Sequence, residues 1–148
     1  MDPIDRTSAL GLWRYAHEFW QAAEAAQAIK PGKVFIPSYY LYGHAMELAL
    51  KAFLRSQGHT VAQLRDLGHD LEAALKTAEG AGLSTFVNLS NDDRTAVGLL
   101  NLYYRTKELE YIVVGVKHFP TVQSLRSCAQ NLVRGTKGPS EIAARKTK

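Results

Sequence analysis

The side chains best suited to chemistry lie on one face of a predicted helix. His44, Glu47, Lys51 and Arg55 follow one another at steps of three, four and four residues, a spacing that places them on the same side of an α-helix. Glu47 and Lys51 fit an ion pair on a solvated face. Alternatively, His44 and Glu47 form a polar cluster that faces another helix or a ligand.

A second group lies in the segment Gly68-His69-Asp70-Leu71, at a predicted junction between two helices. Exposed N–H groups at the start of a helix attract an anion or a side-chain oxygen. Asp70 therefore either caps the second helix while His69 makes a local hydrogen bond, or the junction forms part of a ligand site.

Aromatic and basic residues are concentrated at Tyr103, Tyr104, Arg105, Lys107 and Tyr111. Aromatic rings and a guanidinium group together are suited to stacking on a base and holding a phosphate. Tyr104 also continues a predicted apolar stripe, which indicates that at least one of these rings packs in the core.

Other chemistries find little support in the sequence. It contains no glycine-rich phosphate loop, no GxSxG nucleophile elbow and no pair of cysteines at zinc spacing. His44 and Glu47 alone are too few ligands for a stable metal site, so we predict neither a metal nor a cofactor. Cys128 has apolar neighbours on a predicted helix, which favours a buried small hydrophobe over a nucleophile.

The elements that position these residues are predicted to be helices. Apolar residues at helical spacing, together with start and stop signals, predict five helical segments, at 9–29, at 37–57, at 70–79, from Ser90 onward, and from Thr121 to a stop at Gly135. A capping-box pattern predicts an additional short helical piece at 60–68. Gly98, inside the segment that begins at Ser90, suggests close helix packing. The β-branched run at 109–119 predicts a short extended insert. The fold class is therefore all-α, an up-and-down bundle of about five helical segments with that insert.

The basic charge is concentrated at the end of the chain. The 148 residues include 18 Lys and Arg against 14 Asp and Glu, a formal net charge of +4. Five basic residues and one acidic residue lie at 134–148, so the rest of the chain is neutral. We predict a helical domain over residues 1–134 and a flexible basic tail over residues 135–148, which is either only a solvated extension or a segment that binds phosphates without reading bases.

Composition also indicates the cellular compartment of the protein. One cysteine excludes an intramolecular disulfide and favours a reducing compartment. No apolar run has the length of a membrane span, and the N-terminus lacks the pattern of a signal peptide. We therefore expect a cytoplasmic protein without a membrane association.

Two stretches together resemble the HEPN superfamily (higher eukaryote and prokaryote nucleotide-binding domains). The first is YLYGHAMELALKAFL at residues 40–54 and the second is GHDL at residues 68–71. In that family an HxxELxLKA-like helix is followed by a GHDL-like junction. With the later aromatic helix, the resemblance extends over roughly residues 8–134.

The resemblance implies a bacterial helical bundle that forms homodimers and binds a nucleotide, an RNA or a nucleotidyltransferase-type protein in defence, stress or toxin–antitoxin systems. The matched residues are His44, Glu47, Lys51, His69 and Asp70, and Tyr104 and Arg105 complete the set of candidate ligand-binding residues.

The resemblance also implies that many members are metal-independent endoribonucleases. Those enzymes use an Arg and a His separated by four to six residues, whereas three residues separate Arg55 from His59 and Arg65 from His69, and two separate Arg14 from His17. Because an acid–base His and a phosphate-stabilising Arg are not placed in that way, we predict a non-catalytic binding module. An endoribonuclease with a different Arg and His arrangement, and a purely structural dimer or adaptor, remain as alternatives.

Overall fold

Two long helices form an antiparallel pair at the start of the bundle. The computed structural model describes residues 6–110 and 118–146, and its first two helices are α1 (Ala9–Gln27) and α2 (Ile36–Ser56). Ser8 caps α1 by accepting a hydrogen bond from the N–H of Gly11 at 2.9 Å, and Pro37 occupies the first turn of α2. The Gln27 amide donates to the carbonyl oxygens of Lys30 and Lys33, which fixes the turn between the two helices.

The next three helices begin where the capping signals predict. They are α3 (Val61–Asp66), α4 (Leu71–Gly80) and α5 (Asn91–Tyr104). Thr60 and Ser90 each form a reciprocal capping box, with Gln63 and Asp93 respectively. A short 3₁₀ turn, Leu83–Thr85, follows α4.

The last helix is longer than the sequence predicts. Helix α6 runs from Val122 to Lys146, so the predicted stop at Gly135 and the predicted flexible tail from residue 135 are wrong over the described part of that segment. A Cβ at Gly135 would lie 2.4 Å from Val87 Cγ2, which shows that this glycine permits close packing and does not end the helix. Thr136, Pro139 and Ser140 are buried, so packing against the bundle accompanies the helix past a proline that cannot donate a backbone hydrogen bond.

Helix α2 lies at the centre of the bundle, where it contacts α1, α3, α4, α5 and α6. Its apolar residues supply much of the core, which includes the fully buried side chains Tyr39, Tyr42, Met46, Leu50, Phe53 and Leu54 from α2 and Leu71, Leu100, Leu125 and Leu132 from the surrounding helices. The all-α prediction is confirmed, since residues 6–110 and 118–146 contain helices and no strand. The predicted extended insert falls mainly on residues 111–117, which lie outside the described residues.

The close helix packing suggested by Gly98 occurs at a different glycine. A Cβ at Gly98 would lie 3.4 Å from Glu72, an ordinary contact, whereas a Cβ at Gly43 would lie 2.6 Å from the Tyr104 ring. The absent side chain of Gly43 therefore lets the Tyr104 ring of α5 lie directly against the backbone of α2.

None of the helices in the described ranges combines the length and the apolar character needed to cross a membrane.

Candidate functional site

The candidate site is centred on the buried carboxylate of Glu47. Helix α2 points this side chain into the bundle, where it is 4% exposed. Lys51 Nζ donates to Oε2 at 2.9 Å, while His69 Nδ1 and Tyr104 Oη donate to Oε1 at 2.8 and 2.7 Å. Helices α2 and α5 and the turn between α3 and α4 thus direct donors at one carboxylate, and these hydrogen bonds replace those that the carboxylate loses to water on burial.

Lys51 also joins the two stretches at residues 40–54 and 68–71. Its ammonium group donates to the carbonyl oxygen of Gly68 at 2.7 Å, in addition to its ion pair with Glu47. The junction between α3 and α4 is therefore fastened to α2 by Lys51 and by the bond between His69 and Glu47. Of the two interpretations of this helix face, the polar cluster facing another element is the one that the structure supports.

The hydrogen-bond chain fixes the protons of both histidines. A carboxylate only accepts hydrogen bonds, so His69 carries a proton on Nδ1 and, when neutral, keeps its free lone pair on Nε2. Tyr104 gives its single hydroxyl proton to Glu47, so His44 Nδ1, 3.1 Å from Tyr104 Oη, donates to that oxygen. The neutral cluster therefore has one defined pattern of donors.

Asp70 caps helix α4, as one of the two sequence interpretations proposed. The local hydrogen bond that this interpretation gave to His69 is wrong, because the partner of His69 is Glu47, 22 residues away. Asp70 Oδ1 accepts from the N–H of Ala73 at 3.1 Å and from Asn101 Nδ2 at 3.0 Å. The same Asn101 accepts from the N–H of Leu71 at 2.8 Å, and Arg105 Nη1 lies 3.6 Å from Asp70 Oδ2. The last turns of α5 are thus bonded to the first turn of α4.

Burial and neighbouring charges shift the pKa values of four groups in the cluster. Burial acts to raise the pKa of Glu47, but the Lys51 ammonium and the hydrogen bonds from Lys51, His69 and Tyr104 together hold it below its ordinary value. Burial lowers the pKa of His44, and burial with the adjacent Glu47 charge raises the pKa of Tyr104. Burial acts against the Asp70 carboxylate, yet the Ala73 N–H, Asn101 and Arg105 lower its pKa.

Only part of the cluster is open to solvent. The side chains of His69 and Arg105 are 51% and 56% exposed, and both adjoin Asp70. Arg105 and Asp70 also line a groove of about 480 Å³ between α4 and α5, which carries both signs of charge, since its other polar lining residues are Asn101, Lys76, Arg94, Glu72 and Glu79. A ligand therefore has access to one imidazole and one guanidinium group, while Glu47 and Tyr104 lie beneath them.

The remaining sequence candidates are not part of this cluster. Arg55 donates to the carbonyl oxygens of Thr7 and His59 and ties the end of α2 to its neighbours. Tyr103 packs its ring on Phe119 and accepts from the N–H of His118 at 2.7 Å. Tyr111 lies outside the described residues. Lys107 is exposed and follows the end of α5.

Sequence reasoning missed Asn101, which is buried and bonds both Asp70 and the start of α4. A lone asparagine on a helix belongs to no motif, and its partner is 31 residues away. The one sequence signal that could have indicated Asn101 is its position next to Leu100, beside the buried apolar stripe of α5.

Within the described residues, no group of three or more His, Cys, Asp or Glu side chains is arranged to hold a metal ion. No family model, no curated protein and no solved structure matches this chain.

Proposed function

We propose that this protein is a non-catalytic binding module for a nucleotide or an RNA, with His69 and Arg105 as the contact residues. The observation that carries this proposal is that the stretches 40–54 and 68–71 come together in one hydrogen-bonded cluster. The surface of this cluster presents the imidazole of His69 and the guanidinium group of Arg105 to solvent. An exposed Arg recognises phosphate through its planar set of donors, and an imidazole donates or accepts according to pH.

The same geometry supports binding over catalysis. General acid–base chemistry requires titratable groups within hydrogen-bond reach of the reacting atoms. Glu47 is buried and its oxygens accept three hydrogen bonds, and the proton of Tyr104 is held by Glu47. Among the described residues, His69 is then the one titratable group of the Glu47 hydrogen-bond network that is more than half exposed. That part of the network therefore offers an approaching substrate one group for proton transfer and not two.

The resemblance to the HEPN superfamily extends this proposal to the assembly and its setting. We expect a cytoplasmic homodimer that works with a nucleotidyltransferase-type partner in a defence, stress or toxin–antitoxin system. Sedimentation of the purified protein tests the dimer directly, since a single species of 16.4 kDa would contradict it.

Binding of two probes, ATP and a short single-stranded RNA, tests the proposed function by isothermal titration at low salt. We expect Arg105→Gln and His69→Gln each to lower the affinity for the probe that binds by about tenfold, because each substitution removes one charge-assisted hydrogen bond. Arg126→Gln is the matched control, because Arg126 is also about half exposed and paired with a carboxylate, Glu24. Absence of saturable binding to both probes contradicts the proposal and favours a structural dimer or adaptor.

One observation favours a second candidate, a metal-independent endoribonuclease. The buried Glu47 fixes the proton of His69 on Nδ1 and leaves Nε2 free to accept a proton, an arrangement suited to a general base. Incubation of labelled RNA with the protein in a chelator tests it. Cleavage that disappears in His69→Gln supports the ribonuclease and overturns the non-catalytic proposal.

A further inference from the structure

An aromatic ladder on α1 faces a basic edge of α6. Trp13, His17 and Trp20 recur at steps of four and three residues, and their ring centroids are 5.2 and 5.9 Å apart in two stacked pairs. Helix α6 runs antiparallel to α1 here, since the Trp13 indole donates to the Val133 carbonyl oxygen at 2.7 Å and Arg126 pairs with Glu24.

The two helices enclose a cavity of about 250 Å³ that we term the α1–α6 slot. Its lining consists of Trp13, His17 and Trp20 from α1 and Gln130, Val133, Arg134 and Lys137 from α6. No part of the candidate site around Glu47 contributes to this lining, so the slot is a separate feature of the molecule.

The polar groups of the slot are mainly hydrogen-bond donors, and two are cations. Arg134 and Lys137 are exposed, and Lys137 Nζ lies 5.6 Å from the Trp13 ring centroid. Its ion pair with Glu141 is 3.8 Å long and exposed, so that pair holds Lys137 only weakly. In the part of the chain that the structure describes, no Asp or Glu lines the slot.

One donor in the slot wall is unsatisfied. Within residues 6–110 and 118–146, Trp20 Nε1 is the only buried side-chain nitrogen or oxygen without a hydrogen-bond partner. A buried donor without an acceptor costs about 1–3 kcal/mol, but because this nitrogen is itself sealed from solvent, it is not a contact point for a ligand in the slot.

We propose that the α1–α6 slot binds a small planar anion, an aromatic carboxylate. The indole and imidazole rings provide apolar surface for a flat ring. Both terminal nitrogens of Arg134 donate to the Gln130 amide oxygen, at 2.8 and 3.1 Å, and a carboxylate that replaces this neutral acceptor matches the guanidinium group in a bidentate geometry. Lys137 adds a second positive charge. Because ligand cavities for drug-sized molecules occupy about 300–1,000 Å³, this slot admits a single ring system.

The two tryptophans of the chain both line the slot, so the indole N–H signals in a ¹⁵N-resolved spectrum report on it directly. Benzoate is the probe, titrated into the millimolar range at constant ionic strength, with uncharged benzamide and non-aromatic acetate as comparisons. We expect a saturable shift of the Trp20 N–H signal with benzoate, and a response at least about tenfold weaker with either comparison compound.

Variants separate binding in the slot from general attraction of anions. Arg134→Gln and Lys137→Gln each lower benzoate affinity by about tenfold, whereas Arg126→Gln, which removes a positive charge from the same helix outside the slot, leaves it unchanged. Equal responses to benzoate and benzamide, or equal losses in Arg134→Gln and Arg126→Gln, would overturn the proposal.

Discussion

Glu47 shows why a buried charge in this bundle requires a complete set of partners. Removing a carboxylate from water costs several kcal/mol unless an opposite charge and hydrogen bonds replace the lost solvent. Glu47 has both, since Lys51 supplies the charge and His69 and Tyr104 supply further donors. The same bonds hold the α3–α4 junction against α2, so the residue links the electrostatics of the site to its shape.

Replacement of Glu47 by glutamine tests this dependence. The amide keeps the volume but leaves Lys51, which is 12% exposed, without its counter-charge. We expect the free energy of unfolding to fall by about 3 kcal/mol, measured by urea denaturation. Glu79→Gln is the control, because its ion pair with Arg94 is exposed and its loss changes stability by less than about 1 kcal/mol. Equal effects of the two substitutions would contradict the role given to Glu47.

His44 and Glu47 make stability depend on pH with the same sign. Both pKa values are lower in the folded protein than their ordinary values of 6.5 and 4.5, so the unfolded chain binds more protons in each range. The stability contributed by neutral His44 is lost progressively below about pH 6.5, and that contributed by ionised Glu47 is lost below about pH 4.5, with Asp70 acting in the same direction.

Urea denaturation at pH 7.5, 5.5 and 3.5 measures this dependence. We expect stability to fall at each step, and His44→Gln to reduce the first fall while leaving the second. A wild-type protein that becomes more stable between pH 7.5 and 5.5 would show that the sign is wrong.

At the scale of the helices, two glycines differ in whether the surrounding structure leaves room for a side chain. A Cβ at Gly135 would meet Val87 Cγ2 at 2.4 Å and the Phe86 carbonyl oxygen at 2.8 Å, and the backbone atom cannot move aside cheaply. Gly98 has only an ordinary contact with the flexible side chain of Glu72. Glycine is therefore required for packing in α6 and is dispensable in α5.

The paired substitutions Gly135→Ala and Gly98→Ala test this contrast by thermal or urea denaturation. Overpacking predicts that Gly135→Ala destabilises the protein by about 1–3 kcal/mol. The gain in helix propensity predicts that Gly98→Ala stabilises it by up to about 1 kcal/mol. Stabilisation by both would mean that α6 does not pack closely on residues 86–87.

Local signals predicted the starts of helices better than their ends. Ser90, Thr60 and Asp70 cap helices because their side chains bond nearby N–H groups, which is a property of a few adjacent residues. Gly135 and Pro139 resemble a stop, yet contacts with residues far away in the chain override them. A sequence carries no direct sign of such tertiary contacts.

The same limit applies to the candidate site. Residue types and spacing selected Glu47, Lys51, His69 and Asp70, because polar side chains on a helix face and at a helix start are visible locally. They left open whether Glu47 faced solvent or another helix, and they missed Asn101. Those answers depend on how α5 packs against α2 and α4, which in turn depends on Gly43.

At the scale of the whole molecule, Cys128 is a built-in reporter of global unfolding. It is fully buried in α6, as the sequence predicted, and burial raises the pKa of its thiol to about 12. Since the thiolate is the reactive form, reaction with a thiol reagent at pH 8 requires the core to open.

We expect native Cys128 to react more slowly than an exposed thiol by a factor on the order of 1000 or more, in line with a domain stability of at least about 5 kcal/mol. Ser127→Cys in a Cys128→Ala background is the matched control, because residue 127 is the exposed neighbour on the same helix. Comparable rates for the two thiols would mean that α6 opens locally.

The hydrogen bond between Trp13 and Val133 joins residues 120 positions apart, and this separation has a consequence during synthesis. A ribosome adds about 5–20 residues per second, so roughly 6–24 s pass between the synthesis of Trp13 and that of Val133, the α6 residue that binds it. Through that interval α1 and α2 can pair with each other as a helical hairpin, but one side of the hairpin stays uncovered. The nascent chain therefore exposes Trp13 until nearly all of its core has been made, and this is the period in which a chaperone has a surface to recognise.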